Sequence, residues 1–337
     1  MKPVPTLKWN DGKLVLLDQR ELPAREVYLE CGTTAELAEA IRTLAMRRAP
    51  AIGIAAAWGA VIAMGETAPS EGFRDECLGL LDVLAATRPT AVNLFHCLDL
   101  QREIVKSCPS REDGLRMLAE NAARLQEEDL EASRIMGSLG CDLLPDNCTV
   151  LTHCNAGGLA TAGLGTALAV IYEAAERGKL TQVYADETRP LLQGSRLTSW
   201  ELARAGIPVK VIPDSAAASL LRSGAVDAVI TGADRVAMNG DSANKIGTLS
   251  LALAASSAGV PFYIVAPVST FDKGSPDGSA IVIEERSREE LASLGGRILL
   301  PEGVGTWNPA FDVTPVELIT SIICERGVAG SPKEVDF

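Results

Sequence analysis

Residues 148–158 read Cys-Thr-Val-Leu-Thr-His-Cys-Asn-Ala-Gly-Gly. A short β-branched run, Thr149-Val150-Leu151, leads into a Gly-rich turn built on Cys154, and a small-residue, helix-patterned segment follows from Leu159. That is the order of a strand handing over to a helix. On this reading Cys154 sits at a helix N-terminus, where backbone N–H groups and the helix dipole favour a thiolate and attract anions. The pattern recurs at residues 227–235, Asp-Ala-Val-Ile-Thr-Gly-Ala-Asp-Arg, with Asp234 in place of the thiol. A Cys and an Asp at the carboxyl ends of two strands suggest an acid/base pair in the crevice of an α/β sheet.

The texture around these two turns supports that sheet. Candidate strands are Thr149–Thr152, Gln182–Ala185, Val209–Ile212, Ala228–Thr231 and Phe262–Ala266. Helical patterns lie between them, near Leu159–Arg177, Gly194–Ala205, Ala216–Ser223 and Ala243–Gly259. Such alternation predicts a right-handed, mostly parallel sheet covered on both faces. Residues 280–283 read as an edge strand inside an excursion, and Pro315 reads as opening a last helix, Val316 to Glu325. The N-terminal half differs. It opens on a hairpin, Leu7 to Leu17, turning at Asn10-Asp11-Gly12. Helical patterns then run from a cap at Thr33 or Thr34 to about Gly140. The predicted fold class is α/β: a mainly helical N-terminal domain over residues 1–145, then a Rossmann-like, mostly parallel sheet domain over residues 146–337.

Composition narrows the function. Hydrophobic residues make up 47% of the 337 and aromatics only 4%, so the core is aliphatic, as buried parallel strands require. A net charge of -13 argues against nucleic acid and anionic membranes as partners. An anionic small molecule remains compatible, because a few Arg and Lys suffice to make one cleft positive. Ala49 to Gly65 is uncharged but broken by Pro50, Gly53 and Gly59, which suits a buried helix rather than a membrane span. Met1 to Asp11 has no apolar signal core, and the eight cysteines form no Cys-x-x-Cys pair, so a cytoplasmic protein with buried thiols is expected. Two histidines, His96 and His153, leave little room for a zinc site. A Cys154–His153 dyad is disfavoured because neighbours in an extended segment point to opposite faces. The glycines spell neither G-x-G-x-x-G nor a P-loop, so NAD or ATP binding lacks its signature. Asp186, Glu187 and Arg189 read as a structural ion-pair cluster.

Several blocks carry a family resemblance. They are Arg47-Arg48-Ala49-Pro50-Ala51-Ile52-Gly53, Thr152 to Gly158, Ala185 to Gly194, Gly232-Ala233-Asp234-Arg235-Val236, Asn239-Gly240-Asp241, Asn244-Lys245-Ile246-Gly247-Thr248 and Asn308 to Pro315. Together they resemble the methylthioribose-1-phosphate isomerase family of methionine salvage. Its wider circle includes ribose-1,5-bisphosphate and 5-deoxyribose-1-phosphate isomerases and the regulatory subunits of a translation-initiation exchange factor. The resemblance implies a cofactor-independent aldose–ketose isomerase of a sugar 1-phosphate, acting as a homodimer through its sheet domain. It implies Cys154 and Asp234 as the catalytic pair, with Asp234 the proton donor. It implies Arg47, Arg48, Ala49, Arg88, Gln193, Asn244 and Lys245 as the substrate-binding set. The family usually has Arg-Gly-Ala-Pro where this chain has Arg47-Arg48-Ala49-Pro50. A glycine there would let backbone approach a phosphate, so Arg48 either swings away or adds a phosphate ligand.

That pairing makes chemical sense. Phosphate on the anomeric oxygen prevents the sugar from opening to a free aldehyde, so the ring C–O bond must break with the phosphate in place. A protonated Asp234 would donate to the ring oxygen, which asks for burial to keep the carboxyl neutral. A Cys154 thiolate would then remove the C2 proton. In the competing scheme a hydride moves from C2 to C1, and the pair handles only oxygen-bound protons. Two other classes stay open, a non-catalytic regulatory subunit and, less well supported, an NAD-linked oxidoreductase.

Overall fold

The computed structural model describes residues 6–46, 49–88, 92–331 and 334. The chain divides into two compact units: residues 2–134 with 157–165, and residues 135–156 with 166–337.

The first unit is helical with a small sheet. Strands β1 (Leu7–Asn10) and β2 (Lys13–Leu17) form the hairpin, and β3 (Tyr28–Cys31) adds antiparallel to β2. Asp11 and Gly12 both have positive φ, 47° and 83°, as a two-residue turn of this hand needs. Helix α1 (Thr34–Arg42) starts on a capping box, Thr33 accepting from the Glu36 N–H while Glu36 accepts from the Thr33 N–H. The uncharged stretch is α2 (Ala49–Glu66), packed on α3 (Phe73–Ala85) and α4 (Val92–Ser107). Gly53 permits the approach to α4: a Cβ there would stand 2.8 Å from the Asn93 carbonyl oxygen. Helix α5 (Arg111–Asp142) follows, its residues from 135 on belonging to the second unit, and no described helix is long and apolar enough to cross a membrane.

Burial pushes the thiols of this unit up, Cys31 to about 11 and Cys77 and Cys97 to about 12. Buried thiols without thiolate character are inert. Iodoacetamide at pH 8 is therefore expected to leave all three unmodified in the native protein and to label them after denaturation, read by peptide mass spectrometry. Native labelling of Cys77 or Cys97 would contradict this packing.

The second unit holds β4 (Cys148–Thr152), β5 (Leu180–Asp186), β6 (Val209–Ile212), β7 (Ala228–Gly232), β8 (Arg235–Ala237), β9 (Ser242–Lys245), β10 (Phe262–Val265), β11 (Phe271–Asp272), β12 (Ser293–Leu294), β13 (Arg297–Ile298), β14 (Phe311–Thr314), β15 (Ser321–Cys324) and β16 (Gly327–Ala329). Its helices are α6 (Ala167–Glu176), α7 (Ser199–Arg204), α8 (Ala217–Arg222), α9 (Thr248–Ala258) and α10 (Glu289–Ala292). The main sheet has seven strands in the order β16-β15-β10-β7-β4-β5-β6, parallel throughout except for β16. Its central strands are buried on both faces: every residue of β7 and β10 is buried, so their aliphatic runs show no alternation. From β4 the chain winds outward through β5 and β6 on one side. It then returns to β7 and winds through β10 and β15 on the other. The order therefore reverses between β4 and β7, where open α/β sheets hold their ligands.

Four expectations need correction. Residues 159–166 are not helical: a 3₁₀ turn, Gly158–Ala160, gives way to a tight loop in which Thr161 Oγ1 accepts from the N–H groups of Gly163 and Gly165. That hydroxyl competes with a helix for the same donors, and α6 begins only at Ala167. Residues 242–245 form β9 instead of starting a helix; β9 joins a second, four-stranded sheet of order β11-β8-β9-β14. The expected last helix is a 3₁₀ turn, Val316–Leu318, followed by β15, whose Ile322-Ile323 pair lies against β10. Residues 280–283 form no strand; a 3₁₀ turn, Gly278–Ala280, lies there.

Candidate active site

Strands β4 and β7 are neighbours, with Val150 opposite Ala228 and Leu151 opposite Val229. Cys154 lies just beyond the first and Asp234 just beyond the second, at the reversal point of the sheet. Cys154 is 2% exposed and has φ 63°, a left-handed backbone uncommon outside glycine. Both its peptide groups are tied down. Its N–H donates to Thr188 Oγ1 at 2.9 Å, and its carbonyl accepts from the Thr198 hydroxyl. Thr188 lies in the turn after β5 and Thr198 in a π-turn, Gly194–Thr198, that precedes α7. Next door, Asn155 Nδ2 donates to the buried Glu201 at 2.7 Å. Cys154 is thus set by a side-chain cage and not by a helix N-terminus, since α6 starts well downstream. The Cys–His dyad also fails: His153 Nδ1 meets Asp186 and Nε2 meets the Ile246 carbonyl, each at 2.9 Å, so neither ring nitrogen is left for the thiol.

Asp234 is half-buried, and its Oδ2 is screened from solvent. Its N–H donates to the Ala243 carbonyl at 2.9 Å, and the pairing of Arg235 with Ala243 places Asp234 opposite Asn244. Arg235 forms an ion pair with Asp272 at 3.1 Å. Asn244 is fully buried; its Nδ2 donates to Thr248 Oγ1 at 3.0 Å, while its Oδ1 has no protein partner. Lys245 donates to the Ala310 carbonyl at 2.8 Å with its ammonium 4.3 Å from the centre of the Phe311 ring. Gln193, 5% exposed, likewise has an Oε1 without a protein partner, as do the hydroxyls of Thr152 and Thr231 at the ends of β4 and β7. Buried polar atoms left unpaired by the protein are rare. Three of them, Thr152 Oγ1, Asp186 Oδ1 and Thr231 Oγ1, lie at the carboxyl ends of β4, β5 and β7, which suits a polar ligand.

In the sheet unit Cys154 and Asp234 follow adjacent strands, Asn244 lies opposite Asp234 with Lys245 next to it, and Gln193 precedes the turn whose Thr198 holds Cys154. Arg88 belongs to the helical unit, half-buried just after α3. Ala49 opens α2 in the same unit, its side chain outside the described residues, and Arg47 and Arg48 lie outside them altogether. The cluster expected at Asp186, Glu187 and Arg189 is organised differently. Asp186 pairs with His153, and both carboxylate oxygens of Asp214 accept backbone N–H groups, from Thr188 and from Arg189 at 2.7 Å each. His153, Asp186 and Asp214 approach one another closely enough for a metal, but those hydrogen bonds already commit the imidazole and Asp214, so the set does not fit one. Thr188, Thr198 and the His153–Asp186 pair escaped sequence reasoning because their partners lie more than thirty residues away.

A family model described as the initiation factor 2 subunit family matches residues 45–331. The chain belongs to that family. Within the family it is 53% identical to the methylthioribose-1-phosphate isomerase of Alkalilimnicola ehrlichii, covering 96% of this chain and 94% of the relative. The crystal structure of 5-methylthioribose 1-phosphate isomerase from Pyrococcus horikoshii superposes with a TM-score of 0.94 at 41% identity, over 98% of this chain and 93% of that one. A structure from A. fulgidus described as translation initiation factor eIF-2B, subunit delta, is also similar: TM-score 0.91, 44% identity, covering 98% and 97%. The family thus joins proteins named for metabolism and for translation on one fold.

Proposed function

We infer that this chain is an aldose–ketose isomerase that converts 5-methylthioribose 1-phosphate into 5-methylthioribulose 1-phosphate in methionine salvage. The observation that carries the reading is the placement of Cys154 and Asp234 beyond adjacent strands at the sheet's reversal point. The names of its relatives supply the substrate. Asp234 donates a proton to the ring oxygen as the C1–O ring bond opens, which leaves C1 short of electrons. The Cys154 thiolate takes the C2 proton, and the freed pair forms a C1=C2 enol. A proton returned to C1, with loss of the C2 hydroxyl proton, gives the ketone and keeps the phosphate on C1. Gln193 and Asn244 offer acceptor oxygens to the hydroxyls of the sugar and Lys245 a positive charge to its phosphate, and Arg47, Arg48, Ala49 and Arg88 complete the binding set. The reaction needs no cofactor. All eight cysteines are buried and none forms a disulfide, which fits a reducing cytoplasm. The active form is a homodimer.

The alternative, a regulatory subunit without catalysis, has no use for an acid/base pair at this position. Turnover compared on methylthioribose 1-phosphate, 5-deoxyribose 1-phosphate and ribose 1,5-bisphosphate decides between them. Preference for the methylthio sugar supports the reading, and no turnover of any of the three sinks it. Asp234→Asn keeps the shape but cannot donate as an acid. It is expected to lower kcat by about 10² to 10⁴-fold with a small change in KM, measured at steady state.

A further inference from the structure

His153 and Asp186 take no part in these proton transfers, yet they are 1% and 2% exposed. Asp186 ends β5, and its Oδ2 faces His153 Nδ1; His153 Nε2 faces the carbonyl of Ile246, next in sequence to Asn244 and Lys245. A carbonyl only accepts, so Nε2 carries a hydrogen. One further proton lies between Nδ1 and Oδ2, and the pair is neutral overall wherever that proton sits. Burial opposes an imidazolium, but Asp186, Cys154 and the Ile246 carbonyl outweigh it and hold His153 above its usual range. Burial in turn lifts Asp186, against the pull of His153. The other charged groups nearby are already engaged: Asp214 by two N–H groups after β5, and Asp312 of β14 by the N–H groups of Gly247 and Leu249. The ring also packs on Gly247, φ 104°, where a Cβ would stand 2.8 Å from His153 Cε1.

We propose that His153 and Asp186 are positioning residues for the isomerisation, a buried neutral clamp that ties the strand leading to Cys154 to the strand carrying Asn244 and Lys245. The proposal rests on the site reading above. Its consequence is that thiol, amide and ammonium are held as one body, so loosening the clamp harms both chemistry and binding.

A double-mutant cycle of His153→Gln and Asp186→Asn tests it, with kcat and KM on methylthioribose 1-phosphate, affinity for the ketose product by calorimetry, and thermal melting. Each single variant is expected to lose about ten- to hundred-fold in kcat and to bind product more weakly, as misplacement of reacting groups does. The double variant is expected to lose no more than the worse single, because two amides restore a neutral hydrogen-bonded pair. Asp186→Asn should also add an acid limb to the kcat/KM profile below the ordinary histidine range, since the imidazole then titrates without its carboxylate while burial still opposes its charged form. Losses that multiply in the double, or single variants that melt earlier with kcat, product affinity and pH profile unchanged, overturn the clamp. If His153→Gln does not fold, His153→Asn takes its place in the cycle. Cys154→Ser and Asp234→Asn run alongside: turnover surviving in those two sinks the site reading, while coupling in product affinity still reports on the clamp.

Discussion

Cys154→Ser is expected to lower kcat on 5-methylthioribose 1-phosphate by at least about a thousand-fold while the protein melts within a few degrees of the parent. The fold is spared because what holds residue 154 is its backbone: the N–H to Thr188 and the carbonyl to Thr198 persist whatever the side chain. Oxygen for sulfur is also a small change in a buried cage. The chemistry is not spared, because a serine hydroxyl stays protonated at neutral pH where a thiol can be drawn to ionise. Activity above about a tenth of the parent would remove Cys154 from the role of base.

The same pair of proteins separates the two routes between C2 and C1. If Cys154 carries the proton, turnover in D₂O places deuterium at C1 of the ketose, seen by NMR or mass spectrometry. If a hydride moves directly, C1 keeps the hydrogen that began on C2. Cys154→Ser would then be impaired far less, since a hydroxyl can still relay oxygen-bound protons. The size of the loss and the label at C1 should therefore agree, and a large loss without label would require a further role for the thiol.

Much of this architecture is legible from local chemistry. The Asp11-Gly12 turn, a threonine cap before α1 and the unbroken aliphatic strands announce themselves within a few residues. So do the two strand–turn units that carry Cys154 and Asp234. What escapes local reading is set by distant partners. Ser242 to Lys245 has little strand propensity and becomes β9 because β14, far along the chain, pairs with it from Phe311 to Thr314. Residues 159–166 carry a helix-like run of small residues, but the Thr161 hydroxyl takes the N–H groups that a helix would use. The substrate-binding set came from resemblance alone, and the structure adds what resemblance lacked: Gln193 and Asn244 each present a buried oxygen that the protein leaves unpaired.

Gly194→Ala is expected to be the most damaging small substitution in the sheet unit, costing more than about 3 kcal/mol. A Cβ at residue 194 would stand 1.7 Å from the carbonyl oxygen of Asp186 and 3.0 Å from Thr188 Oγ1. The first of these is backbone, so no rotamer relieves it; the π-turn must pull away from the end of β5. That displacement runs through the site, because Gln193 precedes residue 194, Thr188 holds the Cys154 N–H, and Asp186 holds His153. Stability and activity should therefore fall together, with a melting temperature lower by at least about 6 °C and kcat reduced even at temperatures where the variant is folded. Gly79→Ala supplies the contrast. It sits exposed in α3 with nothing within 4 Å of its Cβ, so alanine there should be neutral or stabilising by up to about 1 kcal/mol. If both variants melted like the parent, the close approach of the π-turn to β5 would be wrong, and with it the account of how Cys154 is held.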